Sequence, residues 1–222
     1  MTPGIGGAAM NKVAAYARKT RETDISVRMA LYGEGRLIAD TGFGFFDHML
    51  QQLVHHSLMD IEVKATGDIK TGFHHLTEDI GICLGRALRQ AVSGDESGNE
   101  IGGGSGDRSA DEGRGEKGGA APIRRFGSAT VPMDGSLARV ALDFSGRGGA
   151  YIDAPGMDED IAEFVKAFAR EAGITLHMDV LKSDNRHHAT EGCFKALALS
   201  VRAALEPDAA RNGSSSSKGC IG

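Results

Sequence analysis

An internally duplicated α+β fold is what this sequence predicts, each half a four-stranded sheet with two helices packed on one face. Two observations carry that expectation. The stretches HHLTED (74–79) and HHATEG (187–192) repeat a pair of histidines, two spacers and a glutamate, each time opening a long apolar-periodic run. Aligning them requires a shift of 113 residues, which also lays Leu84 on Leu197 and Leu88 on Val201. The strand and amphipathic helix preceding each copy come in the same order, so a duplication of about 90 residues is the economical account.

In chain order, residues 1–10 (MTPGIGGAAM) read as a lead without periodicity. Val13–Ala17, Asp24–Leu31 and Leu37–Asp40 then read as short strands, with Gly33-Glu34-Gly35 as a hairpin turn between the last two. From Phe45 the period changes: Phe46, Met49, Leu50, Leu53 and Val54 recur at three- and four-residue steps, the stripe of an amphipathic helix. Leu58–Ala65 alternates like a half-buried strand, and Leu76–Val92 is helical again. Residues 93–121 hold GNEIGGGSGDRSADEGRGEKGG, a composition that cannot offset its own ordering entropy, and read as a flexible Gly/Ser-rich insertion. Beyond it Arg125–Pro132, Ser136–Phe144 and Thr175–Leu181 read as strands, and Asp158–Ala172 and His187–Leu205 as helices. This leaves the second half one assigned strand short of four. The expected organisation is a first repeat over 1–92, the insertion over 93–121 and a second repeat over 122–222, the two repeats forming one domain, since helices of an α+β unit bury their apolar stripes on a sheet.

Composition narrows the function classes. At 222 residues the chain supports a sizeable core, and 25 Lys plus Arg against 30 Asp plus Glu give a net charge of −5, which argues against nucleic acid as partner. No run approaches the roughly 18 apolar residues of a membrane span, and the N-terminus lacks the apolar core of a secretory signal. A cytoplasmic protein is expected, with an organelle such as a plastid left open. Three cysteines are too few for a disulfide framework. Cys83 and Cys193 fall on apolar helical stripes and read as core; Cys220 is left undecided.

The chemistry is expected in the histidines. On a helix, His74 and Glu78 lie four residues apart and His75 and Glu78 three, so each motif presents imidazole and carboxylate on one face; His187, His188 and Glu191 repeat this. These side chains ligate borderline divalent metals. His48, in FFDHML, and His177, in ITLHMDV, add one more histidine from each half. The resulting eight candidates are enough for two six-coordinate ions with positions left for substrate, and mixed nitrogen and oxygen donors at that number fit Mn²⁺ or Fe²⁺ better than tetrahedral Zn²⁺. Lys195, one turn beyond Glu191, projects a cation along the same face and, with Arg125, Arg147 and Lys218, points to a phosphate grip drawn from several loops. From composition alone the tail reads as a plain Ser/Gly terminus.

Taken together, RKTRET (18–23), TGFGFFDHMLQQLVHH (41–56), HHLTED, RFG (125–127), SGR (145–147), HHATEGCFK (187–195) and SSK (216–218) make the chain resemble the imidazoleglycerol-phosphate dehydratase family of histidine biosynthesis. The resemblance runs from about Ala14 to Gly219 apart from the insertion. It implies that His48, His74, His75, Glu78, His177, His187, His188 and Glu191 hold two Mn²⁺ per active site. It implies substrate contacts from Glu22, His48, Gln52, His56, Arg125, Arg147, Lys195, Ser216, Ser217 and Lys218, and catalytic roles for Glu22, Glu191 and His75. A duplicated α+β domain, a phosphorylated imidazole substrate, and self-association into a 24-subunit homo-oligomer with shared active sites are expected with it. The implied reaction is a dehydration in which a dimanganese-bound imidazolate expels the side-chain hydroxyl through a diazafulvene-like intermediate, with Glu22 as acid/base. Two rivals are a dinuclear phosphoester hydrolase and a shell whose ions only join subunits. One departure stands out: Gly72-Phe73 occupies the place of two acidic residues that typically precede the first histidine pair.

Overall fold

Alternation along the strands decides which way each sheet faces. In β2 (Thr23–Ala30), Ile25, Val27 and Met29 are buried while Asp24, Ser26 and Arg28 are exposed, so one face meets the core and the other water. A computed structural model of the chain describes residues 12–70, 72–94 and 122–210. Its first half runs β1 (Val13–Lys19), β2, β3 (Leu37–Ile38), α1 (Gly44–Ser57), β4 (Asp60–Gly67) and α2 (His74–Ser93). The second runs β5 (Phe126–Met133), β6 (Ser136–Asp143), β7 (Gly149–Asp153), α3 (Glu159–Ala172), β8 (Thr175–Lys182) and α4 (Arg186–Leu205). Each half forms a four-stranded sheet, ordered β1-β2-β4-β3 and β5-β6-β8-β7, with the last strand parallel to its neighbour and the other pairings antiparallel. The expected insertion begins later than 93, since α2 runs through Ser93 and is capped at Gly94; residues 95–121, the N-terminal lead and the tail with Ser216, Ser217 and Lys218 lie outside the described residues.

Two expectations need correction. The Gly33-Glu34-Gly35 stretch is no hairpin turn, because β3 pairs in parallel with β4 rather than returning along β2. Its glycines permit close approach instead. A Cβ on Gly33 would collide with the Asp60 side chain, and Gly35, at φ +80°, would meet the His55 carbonyl at 2.9 Å. The Asp60 carboxylate accepts hydrogen bonds from Glu34 N and Arg36 N, both at 2.9 Å, so the loop wraps around a side chain. The second correction is β7, the strand the periodicity left unassigned.

Helix packing crosses between the halves. α2 lies on β1, β2 and β4, and α4 on β5, β6 and β8, but α1 packs on α4 and α3 on α2. Phe46 of α1 meets Phe164 of α3 edge-on at 5.0 Å, and Phe164 stacks with Phe168 and Phe194, so the centre of the core is shared. α2 and α3 approach closely where Gly81 and Gly85 face α3; a Cβ on either would lie 2.6 Å from the carbonyl oxygen of Phe164 or Phe168. Cys83 and Cys193 are fully buried in this core, and burial pushes both thiols up to about 12, the state of inert packing residues. Among the described residues no helix is long and apolar enough to cross a membrane.

The duplication fixes which residues correspond. α1 and α3 are both 14 residues long, and β4 and β8 both 8, at a shift of 115. His48 therefore corresponds to Glu163, and His177 to Glu62. The two additional histidines are thus not a repeated pair: one sits on a helix and the other on a strand.

Candidate metal centre and active site

The loop before α1 is tied down by Asp47, whose Oδ1 accepts from Thr41 Oγ1 at 2.8 Å and Thr41 N at 3.2 Å. One residue further, His48 leaves α1 toward α4, where its Nε2 lies 3.3 Å from Glu191 Oε2. His187, four residues before Glu191 on the same face, places its Nε2 3.4 Å from that oxygen. Ligand atoms of His48, His187 and Glu191 all lie within 4.8 Å of one another. Two imidazoles and a carboxylate at this spacing match the donor preferences of a borderline divalent cation. An open cleft of about 490 Å³, lined by Phe43, Phe45, Gly156, Asp158, Asn185, Arg186, His187 and Thr190, lies beside the cluster.

Two stripes face each other across the helix pair. His48, Gln52 and His56 recur every four residues on α1, as do His187, Glu191 and Lys195 on α4. Lys195 Nζ lies 2.7 Å from Glu191 Oε1 and 3.3 Å from Met133 Sδ. Burial alone would raise the Glu191 carboxyl, but bonds from Lys195 and His48 outweigh it and hold it below the ordinary range. His56 is lowered by burial, then by His55 and by the Lys195 cation. The arrangement gathers basic groups around one buried carboxylate.

The first copy of the motif stands elsewhere. At the mouth of α2, His74 Nδ1 faces Asp160 at 3.5 Å, His75 Nδ1 faces Glu22 at 3.6 Å, and Arg170 faces Glu78 at 3.5 Å. Glu22 sits on the β1–β2 turn, which Thr20 Oγ1 braces by accepting from the backbone N of Glu22 and Thr23. Asp79, ending HHLTED, binds that turn to the helix: Arg18 Nε donates to it at 2.8 Å and Thr23 Oγ1 at 2.5 Å. The pairing of RKTRET with HHLTED is therefore physical, since one buried carboxylate joins them. The N-caps differ between halves. Asp158 and Asn185 cap α3 and α4 with side-chain bonds, whereas Phe43 and Phe73, heading α1 and α2, make none and stack on each other at 4.2 Å. At Gly72-Phe73, α2 is thus headed by an aromatic contact and has no side-chain cap.

Other predicted residues are not gathered by one chain. His177 is exposed between buried Leu176 and Met178, so it points away from the helices and stacks on Tyr151 at 4.7 Å. His188 turns from the cluster toward Asp184 (2.8 Å) and Asp134 (3.5 Å). Arg125 grips Asp143 through two bonds of 2.6 and 3.0 Å, and Asp143 raises its pKa against a smaller effect of burial. Arg147 is exposed on a loop anchored by Ser145, which accepts from Arg147 N at 3.1 Å. Both arginines lie at the end of the second sheet opposite the α4 mouth, and an eight-residue strand spans roughly 23 Å. Asp134, Asp184, Asn185 and Phe45, whose ring lies 5.4 Å from that of His187, belong to this neighbourhood without having been singled out. Two carried readable signals: Asp134-Gly135 is a turn dipeptide, and Asn185 is an N-cap residue one step before the helix.

Comparison with known proteins adds to this geometry. The family model "Imidazoleglycerol-phosphate dehydratase" matches residues 41–103 and 114–201. A protein of that name from Albidiferax ferrireducens is 43% identical over 205 residues, covering 89% of this chain and 88% of its own. Another from Symbiobacterium thermophilum is 42% identical over 223 residues, covering 97% and 95%. Among solved structures, the Pyrococcus furiosus protein described as IGPD superposes with a TM-score of 0.69 at 31% identity, over 91% of this chain and 98% of that one. The imidazoleglycerol-phosphate dehydratase from Staphylococcus aureus gives 0.68 at 27% identity, over 88% and 99%.

Proposed function

The chain belongs to the imidazoleglycerol-phosphate dehydratase family, and from that premise we propose that it is a hydro-lyase converting imidazoleglycerol phosphate to imidazoleacetol phosphate in histidine biosynthesis. One observation of the site carries this reading: His48, His187 and Glu191 converge from two helices beside a cleft, with Gln52, His56 and Lys195 continuing the two helix stripes.

The donor set fits Mn²⁺. His48, His187 and Glu191 would hold one ion, and His74, His75, Glu78, His177 and His188 are the remaining candidates for two ions per site. Such ions, when bound, favour the deprotonated form of an imidazole ring. That ring is the electron source the reaction needs, because no carbonyl acidifies the hydrogen to be removed. In balance, the substrate loses one hydrogen from carbon and one hydroxyl from its neighbour, leaving as water. The diazafulvene-like intermediate of this route belongs to the substrate. Glu22, half-exposed beside His75, is the candidate to carry the transferred proton. Arg125, Arg147, Lys195 and the tail residue Lys218 are the candidate phosphate holders, and that anchorage orients the reacting carbons.

Self-association completes this reading. His177 faces outward and the arginine pair lies at the far end of the sheet from the α4 mouth, so one chain does not bring them to the cluster. Active sites shared between subunits of a large homo-oligomer, 24 in the family expectation, supply what each chain lacks. The assay is ketone formation from imidazoleglycerol phosphate by the purified, manganese-loaded protein. Turnover supports the reading; absence of it in fully metallated protein contradicts it, and release of inorganic phosphate would favour a hydrolase.

A further inference from the structure

The group around His188 is built from residues that the proposed reaction leaves without a role. Asp184 Oδ2 lies 2.8 Å from His188 Nδ1, while its Oδ1 accepts from Ser136 Oγ at 2.5 Å and from Asn185 N at 2.8 Å. Ser136 Oγ in turn accepts from Asp184 N at 3.2 Å, so serine and aspartate hold each other across the strand end. Room for the aspartate comes from Gly135, where a Cβ would stand 2.8 Å from Asp184 Cβ. The turn Asp134-Gly135-Ser136 and Asp184 therefore fit each other: Asp134 Oδ2 stands 3.5 Å from His188 Nε2, on the side left open to a cation, and Asp184 holds the other ring nitrogen, Nδ1.

Two neighbours compete for that nitrogen. Asn185 Oδ1 caps α4 by accepting from His188 N at 2.9 Å, which leaves its Nδ2 2.8 Å from His188 Nδ1. The amide favours a lone pair on Nδ1 and the carboxylate favours a proton there. The carboxylate prevails, since a hydrogen bond to an ionised acceptor is roughly twice as strong as a neutral one. We propose that Asp184, anchored by Ser136 and admitted by Gly135, is a positioning residue for His188: it keeps the ring proton on Nδ1 and leaves the Nε2 lone pair for a divalent cation. A carboxylate behind a ligating imidazole fixes its tautomer and orientation and raises its basicity. Without Asp184, Asn185 draws the proton to Nε2, and the ring must shift tautomer before it can ligate there.

This rests on His188 being a metal ligand, and the test separates the two claims. Mn²⁺ alone is titrated into the full-length chain by equilibrium dialysis, alongside thermal unfolding of the metal-free protein. His188→Ala should lose the corresponding Mn²⁺. Asp184→Ala should weaken that binding about 10- to 100-fold, with Asp184→Asn, whose amide oxygen still accepts a hydrogen bond from Nδ1–H, falling between it and the native chain. Ser136→Ala, which keeps the carboxylate but frees it, should show a smaller loss and serves where Asp184→Ala fails to fold. Should both Asp184 variants lower thermal stability yet bind Mn²⁺ like the native chain while His188→Ala loses it, the positioning role is overturned and the ligand stands. Unchanged Mn²⁺ binding in His188→Ala removes the ligand, and this proposal with it.

Discussion

His48 and Glu191 meet at 3.3 Å although 143 residues separate them. The contact exists because α1 of the first half packs on α4 of the second, so the candidate metal centre depends on the cross-half packing. Replacing Glu191 with Gln keeps the shape and removes the charge that answers Lys195 and both imidazoles. Mn²⁺ affinity at this cluster should fall further than the ~10- to 100-fold typical of a supporting partner, with the metal-free fold retained by circular dichroism.

Acid should erase part of what Glu191 contributes to stability. Its folded carboxyl is held below the ordinary value of 4.5 by Lys195 and His48, against an opposing effect of burial. A depressed folded pKa gives stability that is present above the unfolded value and lost as pH falls through the folded one. Urea unfolding of metal-free protein should therefore show the native chain more stable than Glu191→Gln at about pH 7, with the gap closing as pH falls below the ordinary 4.5 and through the lower folded value.

Glu22→Gln should abolish turnover while leaving Mn²⁺ content largely intact, because Glu22 stands on an exposed turn 3.6 Å from His75 and outside the three-residue cluster. Steady-state rates alongside elemental analysis check this, and near-normal rates would remove Glu22 from the acid/base role.

Gly85→Ala sets two effects against each other. Helix propensity favours alanine by about 1 kcal/mol. The new methyl, however, would lie 2.6 Å from the Phe168 carbonyl, a backbone atom that retreats only if α3 moves, and overpacking of this kind costs about 1–3 kcal/mol. Net destabilisation is expected, visible as a melting temperature lowered by about 2–4 °C per kcal/mol lost.

Much of this was legible in the residues, for reasons that are local. Alternation marked β2 and β6, and three- and four-residue steps marked α1 and α2, because one buried face imposes a period. β7 escaped because it is a five-residue edge strand, half-exposed and led by glycine, that draws its order from parallel pairing with β8. The Gly33–Gly35 stretch misled for a related reason: glycine marks close approach as well as turns, and the Asp60 side chain it admits is 27 residues beyond Gly33. The HHxxE copies stood out in the sequence as candidate ligands, yet their sequence does not say which of them meet His48. That depends on how α1 crosses to α4. Asp184 escaped because its importance lies in Ser136 and Gly135, which reach it only through the β6–β8 pairing.

Complementation tests most directly the claim that each active site is drawn from more than one chain. His177→Ala and His187→Ala subunits, each inactive alone, are unfolded together, reassembled in equal amounts and assayed for ketone formation. Where a site takes His177 from one subunit and His187 from another, random mixing restores about a quarter of the sites. Activity near that level in the mixture is the predicted result. A mixture as inactive as its parents, in a confirmed co-assembly, would contradict the account.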